Sequence, residues 1–372
     1  MRKMQFVISR ESLLKPLQIV SGVVERRQTL PVLSNVLLVL NDSELSLTGT
    51  DLEVELVGRV AIDQVKQPGE ITVPARKLLD ICKSLKDDSN INVSLADNKL
   101  TLKSGRSRFM LATLPATEFP STEEEPDTFS LTIQGTKLRE LLDSTSFAMA
   151  QQDVRYYLNG MLFEVGADYL KVVATDGHRL AMETVRMSNP IDETQQLILP
   201  RKGIMELARL LSDHDGDISM TFGQNHLTVT IPEFTFTSKL VDGKFPDYNR
   251  VLPKGGDRVL IGNRQEMREA FSRAAILSNE KYKGVRVILT TGELKILANN
   301  PEQEEAEETV SVDYTGEPLE IGFNVGYLID VLSTLSSPNV KITLSDPNSS
   351  ALLEAEAKEG SDAVYVVMPM RL

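Results

Sequence analysis

Tryptophan is absent from the 372-residue chain, cysteine occurs once, as Cys82, and histidine only three times. A single cysteine cannot close an internal disulfide, so no disulfide framework holds the fold, as expected of a cytoplasmic protein. His178, His214 and His226 show no Cys/His pairing and no His-x-x-x-His spacing, so no zinc site is signalled. There is no G-x-x-x-x-G-K-[ST] loop, no G-x-G-x-x-G after a strand and no G-x-S-x-G elbow. No stretch approaches the roughly 18 unbroken apolar residues of a membrane span. The start, Met4-Gln5-Phe6-Val7, alternates like a strand and lacks the apolar core of a signal peptide. No cofactor is expected.

Positive charge is also in deficit, with 40 Lys and Arg against 53 Asp and Glu and a formal net charge of −13. A uniformly acidic surface repels phosphates, which on its face argues against nucleic acid as a partner. The remaining composition is that of an ordinary globular protein, 41% hydrophobic and 25% charged. The length is too great for one ordinary core.

What the chain has in abundance is repetition. A helical pattern from Leu13 leads into a run from Leu30 to Val39 that reads as a strand, a turn at Asn41-Asp42 and a second strand, Leu45 to Asp51. The same order recurs from Leu138, with strands Tyr157 to Glu164 and Leu170 to Asp176. It recurs again from Met267, with strands Gly284 to Leu289 and Leu294 to Asn300. A strand end that opens a helix appears at Pro74, Pro200 and Asn324, spaced by 126 and 124 residues. Each unit closes on an alternating strand: Arg108-Phe109-Met110-Leu111-Ala112, Phe234 to Ser238, and Val364 to Met368. The pattern predicts an α+β fold of three repeated domains, each with two helices packed on antiparallel sheet. Polar joins carrying Pro or Gly, at 117–127 and 253–257, set the domains at 1–127, 128–255 and 256–372.

Charge is distributed unevenly over this plan. The six predicted helices (9–24, 75–86, 136–148, 200–211, 263–277 and 324–335) sum to +6, leaving −19 for everything else. Helices sharing one face would let an acidic protein hold DNA through phosphates, without sequence preference. Lys and Arg are equally common on helices that are merely solvated, and aromatic residues for base stacking are missing from these.

Four runs are more specific. Gln151-Gln152-Asp153-Val154-Arg155-Tyr156-Tyr157-Leu158-Asn159-Gly160-Met161, Ala174-Thr175-Asp176-Gly177-His178-Arg179-Leu180, the stretch from Ser238 to Tyr248, and the terminal Tyr365-Val366-Val367-Met368-Pro369-Met370-Arg371-Leu372 resemble the bacterial sliding-clamp family, the beta subunits of DNA polymerase III. The resemblance covers essentially the whole chain, with about three extra residues before the usual start near Met4. It implies clamp-type domains and a ring-forming, head-to-tail homodimer that encircles double-stranded DNA and has no catalytic site of its own.

The resemblance also implies sites. Arg27, Arg76, Gln152, Tyr156 and Tyr157 stand where the family touches DNA. A pocket for partner peptides comprises Leu158, Thr175, Gly177, His178, Arg179, Leu180, Pro246, Arg250, Val251, Asn324, Tyr327, Ser350, Val366, Met368, Pro369, Met370 and Arg371. Its implied partners are the clamp loader, the replicative polymerase's catalytic subunit, other polymerases, ligase and mismatch-repair proteins. Ring closure falls to Phe109, Leu111, Arg106 and Arg108 of the first domain, opposite Ile276, Leu277 and an acidic run including Glu304 and Glu308. Two other readings compete: a hydrolase or transferase using Asp176, His178 and Arg179, and an interaction scaffold that holds no DNA. No nucleophile or metal partner for His178 is evident, which favours a turn or pocket-wall role for it.

Overall fold

Six strands run directly into six helices among the described residues. Met4–Ser9 leads into α1 (Arg10–Val20), Gly69–Pro74 into α2 (Ala75–Ser84) and Phe129–Gln134 into α3 (Gly135–Thr145). Gln195–Pro200 leads into α4 (Arg201–Leu210), Arg258–Asn263 into α5 (Arg264–Ala275) and Leu319–Asn324 into α6 (Val325–Thr334). Short polar side chains at several junctions explain the change of structure, because they satisfy amide groups that the first helical turn leaves bare. Ser9 Oγ accepts from the Ser12 amide at 3.1 Å, Asn263 Oδ1 from Glu266 at 3.0 Å and Asn324 Oδ1 from Gly326 at 2.9 Å. In α2, Ala75, Leu78 and Cys82 are buried while Arg76, Lys77 and Lys83 face solvent. Burial pushes the Cys82 thiol up to about 12, which leaves it inert.

The computed structural model describes residues 3–24, 30–120, 126–356 and 363–371. The chain divides into two units, Met1–Thr136 with Lys202–Leu240, and Lys137–Arg201 with Val241–Leu372. The first unit holds a five-stranded sheet, in the order Gln64–Gln67, Met4–Ser9, Asn90–Ala96, Lys99–Ser104, Ser107–Ala112. It also holds an eight-stranded sheet, in which Phe129–Gln134, Asp217–Phe222, His226–Thr230 and Phe234–Lys239 continue into Val54–Ala61, Glu44–Thr50, Asn35–Leu40 and Gly69–Pro74. The second unit is built on one twelve-stranded sheet. There Gln195–Pro200, Gly160–Gly166, Tyr169–Thr175 and Arg179–Arg186 continue into Val364–Val367, Ala351–Ala355, Asn339–Leu344 and Arg258–Asn263, then Glu305–Asp313, Glu293–Asn299, Gly284–Thr290 and Leu319–Asn324. The middle repeat thus lends strands to both units.

Pairing is antiparallel among the described strands; most alternate and bury one face, while Gly160–Gly166 is buried on both. Met4, Phe6 and Ile8 are buried on the first strand while Gln5 faces out. With two helices per repeat on antiparallel sheet, the fold is α+β.

Two expected strands begin later than the sequence suggests. Residues 30–34 include a 3-10 turn, Pro31–Ser34, and the strand is confined to Asn35–Leu40. Tyr156–Leu158 is likewise a 3-10 turn, with the strand starting at Gly160. Both turns drive a leucine, Leu33 or Leu158, into the core at 1% and 2% exposure. Pro31 and Ser34-Asn35 in the first run and Asn159-Gly160 in the second mark the breaks, which the apolar residues on either side obscure. The join at 117–127 is also less loose than its composition suggests, because Phe119 is buried against Val32 and Leu33. Residues 121–125 of that join lie outside the described residues.

Candidate functional site

The strand Tyr169–Thr175 ends in a tight turn that its own side chains close. Thr175 Oγ1 accepts from the Gly177 amide at 3.1 Å and donates to the Arg179 carbonyl at 2.6 Å. Asp176 Oδ1 accepts from the amides of His178 and Arg179, at 2.9 and 3.1 Å. Gly177 adopts φ +89°, which glycine takes at little cost. The chain returns as Arg179–Arg186 and pairs with the last strand, Leu180 opposite Val366.

Beside this turn lies a cavity of about 160 Å³. Its floor is apolar: Leu158, Leu180 and Val366 are each buried, and Tyr248 and Phe245 are packed in the same cluster. Thr175, Gly177, Arg179, Pro246, Val251 and Met368 complete the expected part of the lining. Arg155, Phe245, Asp247 and Tyr248 also line it and are absent from the expected set. The run Phe245-Pro246-Asp247-Tyr248 is the signal for three of them, since aromatic residues beside a proline in a polar segment are natural pocket walls.

The other expected pocket residues lie outside this lining, most of them tied to its rim. His178 stacks on Tyr327, ring centroids 6.4 Å apart. The Arg179 guanidinium sits over the rings of Tyr327 and Phe147, at 4.6 and 5.3 Å, and is bonded to Asp176, Asp330 and the Phe147 carbonyl. The Met368 amide donates to the His178 carbonyl at 3.0 Å and the Met370 amide to Gly322 at 2.9 Å, so the tail crosses from the turn toward α6. Asn324 caps α6, Arg250 pairs with Asp247 at 3.1 Å, and Ser350 precedes the strand Ala351–Ala355. Pro369 is half-buried and Arg371 is exposed.

The expected DNA contacts fall in two places. Arg76 is exposed in the first turn of α2. Gln152 is exposed at φ +55°, and Tyr156, 58% exposed, meets the half-buried Tyr157 edge to face at 5.8 Å. Tyr157 also packs on the pocket cluster. Between them Arg155 grips Asp153 with two nitrogens, which pulls that carboxyl down to about 2. Arg27 lies outside the described residues.

The expected ring-closing residues lie on one sheet edge, at the end of α5, and in or just before the strand Glu305–Asp313. Ser107–Ala112 is an edge of the five-stranded sheet, with Arg106 and Arg108 exposed and Phe109 half-buried. Leu111 is turned into its own core at 7% exposure, and Met110, 47% exposed, is the apolar side chain that the strand offers instead. Ile276, at 76% exposure, caps the end of α5, and Leu277 beside it is half-buried. Glu304 is bonded to Asn300, and Glu308 is held by Arg273 at 2.8 Å through both its oxygens, so Glu308 is already neutralised within its own chain.

Chemically, this arrangement binds. The carboxylate of Asp176 is taken up by the amides of the turn and by Arg179, so it closes the turn instead of facing a substrate. Among the described residues no group of three or more His, Cys, Asp or Glu is placed to hold a metal ion, and no helix is long and apolar enough to cross a membrane.

Comparison with known proteins agrees with this picture. Residues 4–123, 132–247 and 249–371 match the N-terminal, central and C-terminal domains of the DNA polymerase III beta subunit. The beta sliding clamp of Pseudomonas putida is 63% identical over 371 residues, 99% of this chain and 100% of that one. That of Escherichia coli K12 is 50% identical over 369 residues, with the same coverage. A crystal structure of the sliding clamp from Pseudomonas aeruginosa bound to griselimycin superimposes with a TM-score of 0.96 at 63% identity, covering 99% of this chain and 100% of that one. The chain belongs to the DNA polymerase III beta subunit family, the beta sliding clamps, which are non-catalytic processivity subunits.

Proposed function

We propose that two copies of this chain close head to tail into a ring of six repeats around duplex DNA, and that the cavity beside Gly177 receives short peptides of its partners. The observation that carries the ring is a strand pairing made twice and left open once. The first repeat's Val54–Ala61 pairs with the second repeat's Phe234–Lys239, and the second repeat's Arg179–Arg186 pairs with the third's Val364–Val367. The third repeat's corresponding strand, Glu305–Asp313, bonds on its outer side only through Val312 and Asp313 among the described residues. Ser107–Ala112, the counterpart of Phe234–Lys239, is a free edge. A second copy supplies the missing partner to each, with Arg106 and Arg108 meeting Glu304 and Glu305, and such a heterologous contact closes after two copies.

On this reading the domains are 1–127, 128–255 and 256–372. Arg27, Arg76, Gln152, Tyr156 and Tyr157 contact DNA without reading its sequence. The pocket serves the clamp loader, the replicative polymerase's catalytic subunit, other polymerases, ligase and mismatch-repair proteins in turn, and Met368 supports this because methionine repacks around different ligands. The protein works in the cytoplasm and needs no cofactor.

Sedimentation tests the ring. Ile276→Ala with Leu277→Ala removes several methylenes from each interface, each worth about 0.8 kcal/mol when buried. The expected product is a folded monomer at low micromolar concentration; an unchanged dimer mass contradicts the assignment.

A further inference from the structure

The pocket's outer wall is made by residues 245–251, in a stretch from 241 to 257 that contains no strand, only the 3-10 turn Tyr248–Arg250. Sheet pairing therefore does not fix that wall; Phe245 and Tyr248 pack it on the apolar floor, and one buried polar cluster ties it to the sheet. Tyr248 presents its ring to the cavity and its hydroxyl to Glu164, at 2.9 and 3.0 Å from the two carboxylate oxygens. Glu164 is 7% exposed on the strand Gly160–Gly166. Its direct cross-strand neighbours are Lys171 and Gln196. Gln196 Nε2 donates to it at 2.7 Å, Tyr169 Oη at 2.9 Å, and Lys171 Nζ lies 3.4 Å from it and 3.2 Å from the Tyr248 hydroxyl. A buried carboxylate is costly unless its lone pairs are filled, and here Tyr169 and Lys171 on one neighbouring strand and Gln196 on the other hold the carboxylate independently of Tyr248. The anchor for the wall is thus built into the sheet.

We propose that Glu164 is a positioning residue for the peptide pocket: through Tyr248 it holds the 245–251 wall in the geometry that admits a peptide side chain. The inference rests on the pocket reading above. Releasing the wall lowers the fraction of molecules competent to bind, and the apparent Kd rises by the same factor.

The test titrates a Gln-Leu-x-Leu-Phe peptide against the full chain, Glu164→Gln, Tyr248→Phe, their combination, and a chain lacking residues 368–372. Each single variant is expected to raise Kd about tenfold, a wall competent about one-tenth of the time. The double variant is expected to bind no more weakly than the worse single one, because both changes cut the same link. Amide exchange at residues 249–251 should quicken in both single variants. A merely structural glutamate would lower the melting temperature without this coupling. If truncation abolishes binding while Tyr248→Phe and Glu164→Gln leave Kd unchanged, or if their effects add, the positioning role is wrong and the pocket stands. If truncation leaves binding intact, the pocket reading itself fails. Should Glu164→Gln not fold, Tyr248→Phe, which removes a single oxygen, decides the matter with the exchange measurement.

Discussion

Gly177 and Leu52 occupy the same place in two copies of one turn. Thr50 and Asp51 make the bonds that Thr175 and Asp176 make: Thr50 Oγ1 accepts from Leu52, and Asp51 Oδ1 from Glu53 and Val54. Leu52 stands at φ +78°, where a β-carbon costs on the order of 1 kcal/mol, and Gly177 stands at +89° without that cost. A β-carbon at Gly177 would also come within 3.0 Å of the Arg155 guanidinium, on the cavity's edge. The turn is common to both repeats, and the residue at its second corner sets them apart. Glu164 carries the residue-scale prediction. Burial pushes its carboxyl up, but the donors Gln196, Tyr248 and Tyr169 and the charge of Lys171 outweigh burial and hold it below its ordinary value of 4.5. A carboxyl depressed in the folded state stabilises fully above its unfolded pKa, and that contribution is lost as pH falls through the folded value. Urea midpoints measured from about pH 5 down to about pH 3 should therefore fall more steeply for the natural chain than for Glu164→Gln. Parallel slopes would show that the carboxylate is not held in this way.

Among the elements, helices were the most legible. Ser9, Asn263 and Asn324 cap them, and apolar residues at helical spacing mark the buried stripes. The hairpins were legible from their period of two. The 3-10 turns before Asn35 and Gly160 were not, because the apolar residues flanking Ser34-Asn35 and Asn159-Gly160 read as strand across those breaks. The Glu164–Tyr248 bond was not either: its partners are 84 residues apart, and nothing local to either residue names the other. The cavity's Thr-Asp-Gly corner and final strand were visible as motifs, whereas Arg155 joins the site only through the folded chain. The free edge Ser107–Ala112 and the largely open outer side of Glu305–Asp313 are where an element-scale prediction belongs. Arg106→Glu with Arg108→Glu should give a monomer, and so should Glu304→Arg with Glu305→Arg. Mixed in equal amounts, the two variants should restore the dimer, since a head-to-tail pair then has both contacts matched. A mixture that stays monomeric while both variants remain folded would rule out this pairing of edges.

At the scale of the whole molecule, a net charge of −13 and a DNA partner are reconciled by where the charges lie. Exposed Arg76, Lys77 and Lys83 on α2 contrast with the acidic strand Glu305–Asp313. A ring does not need a tight grip on phosphates, because topology prevents its loss and weak, screened contacts let it move. The decisive measurement is retention on nicked circular duplex DNA after loading, followed by linearisation with a single cut. The ring predicts that the protein co-elutes with the circle at a salt concentration that abolishes simple electrostatic binding, and runs free once the circle is cut. Equal retention on circular and linear DNA, or none on the circle by a protein that is dimeric and loaded, would contradict it.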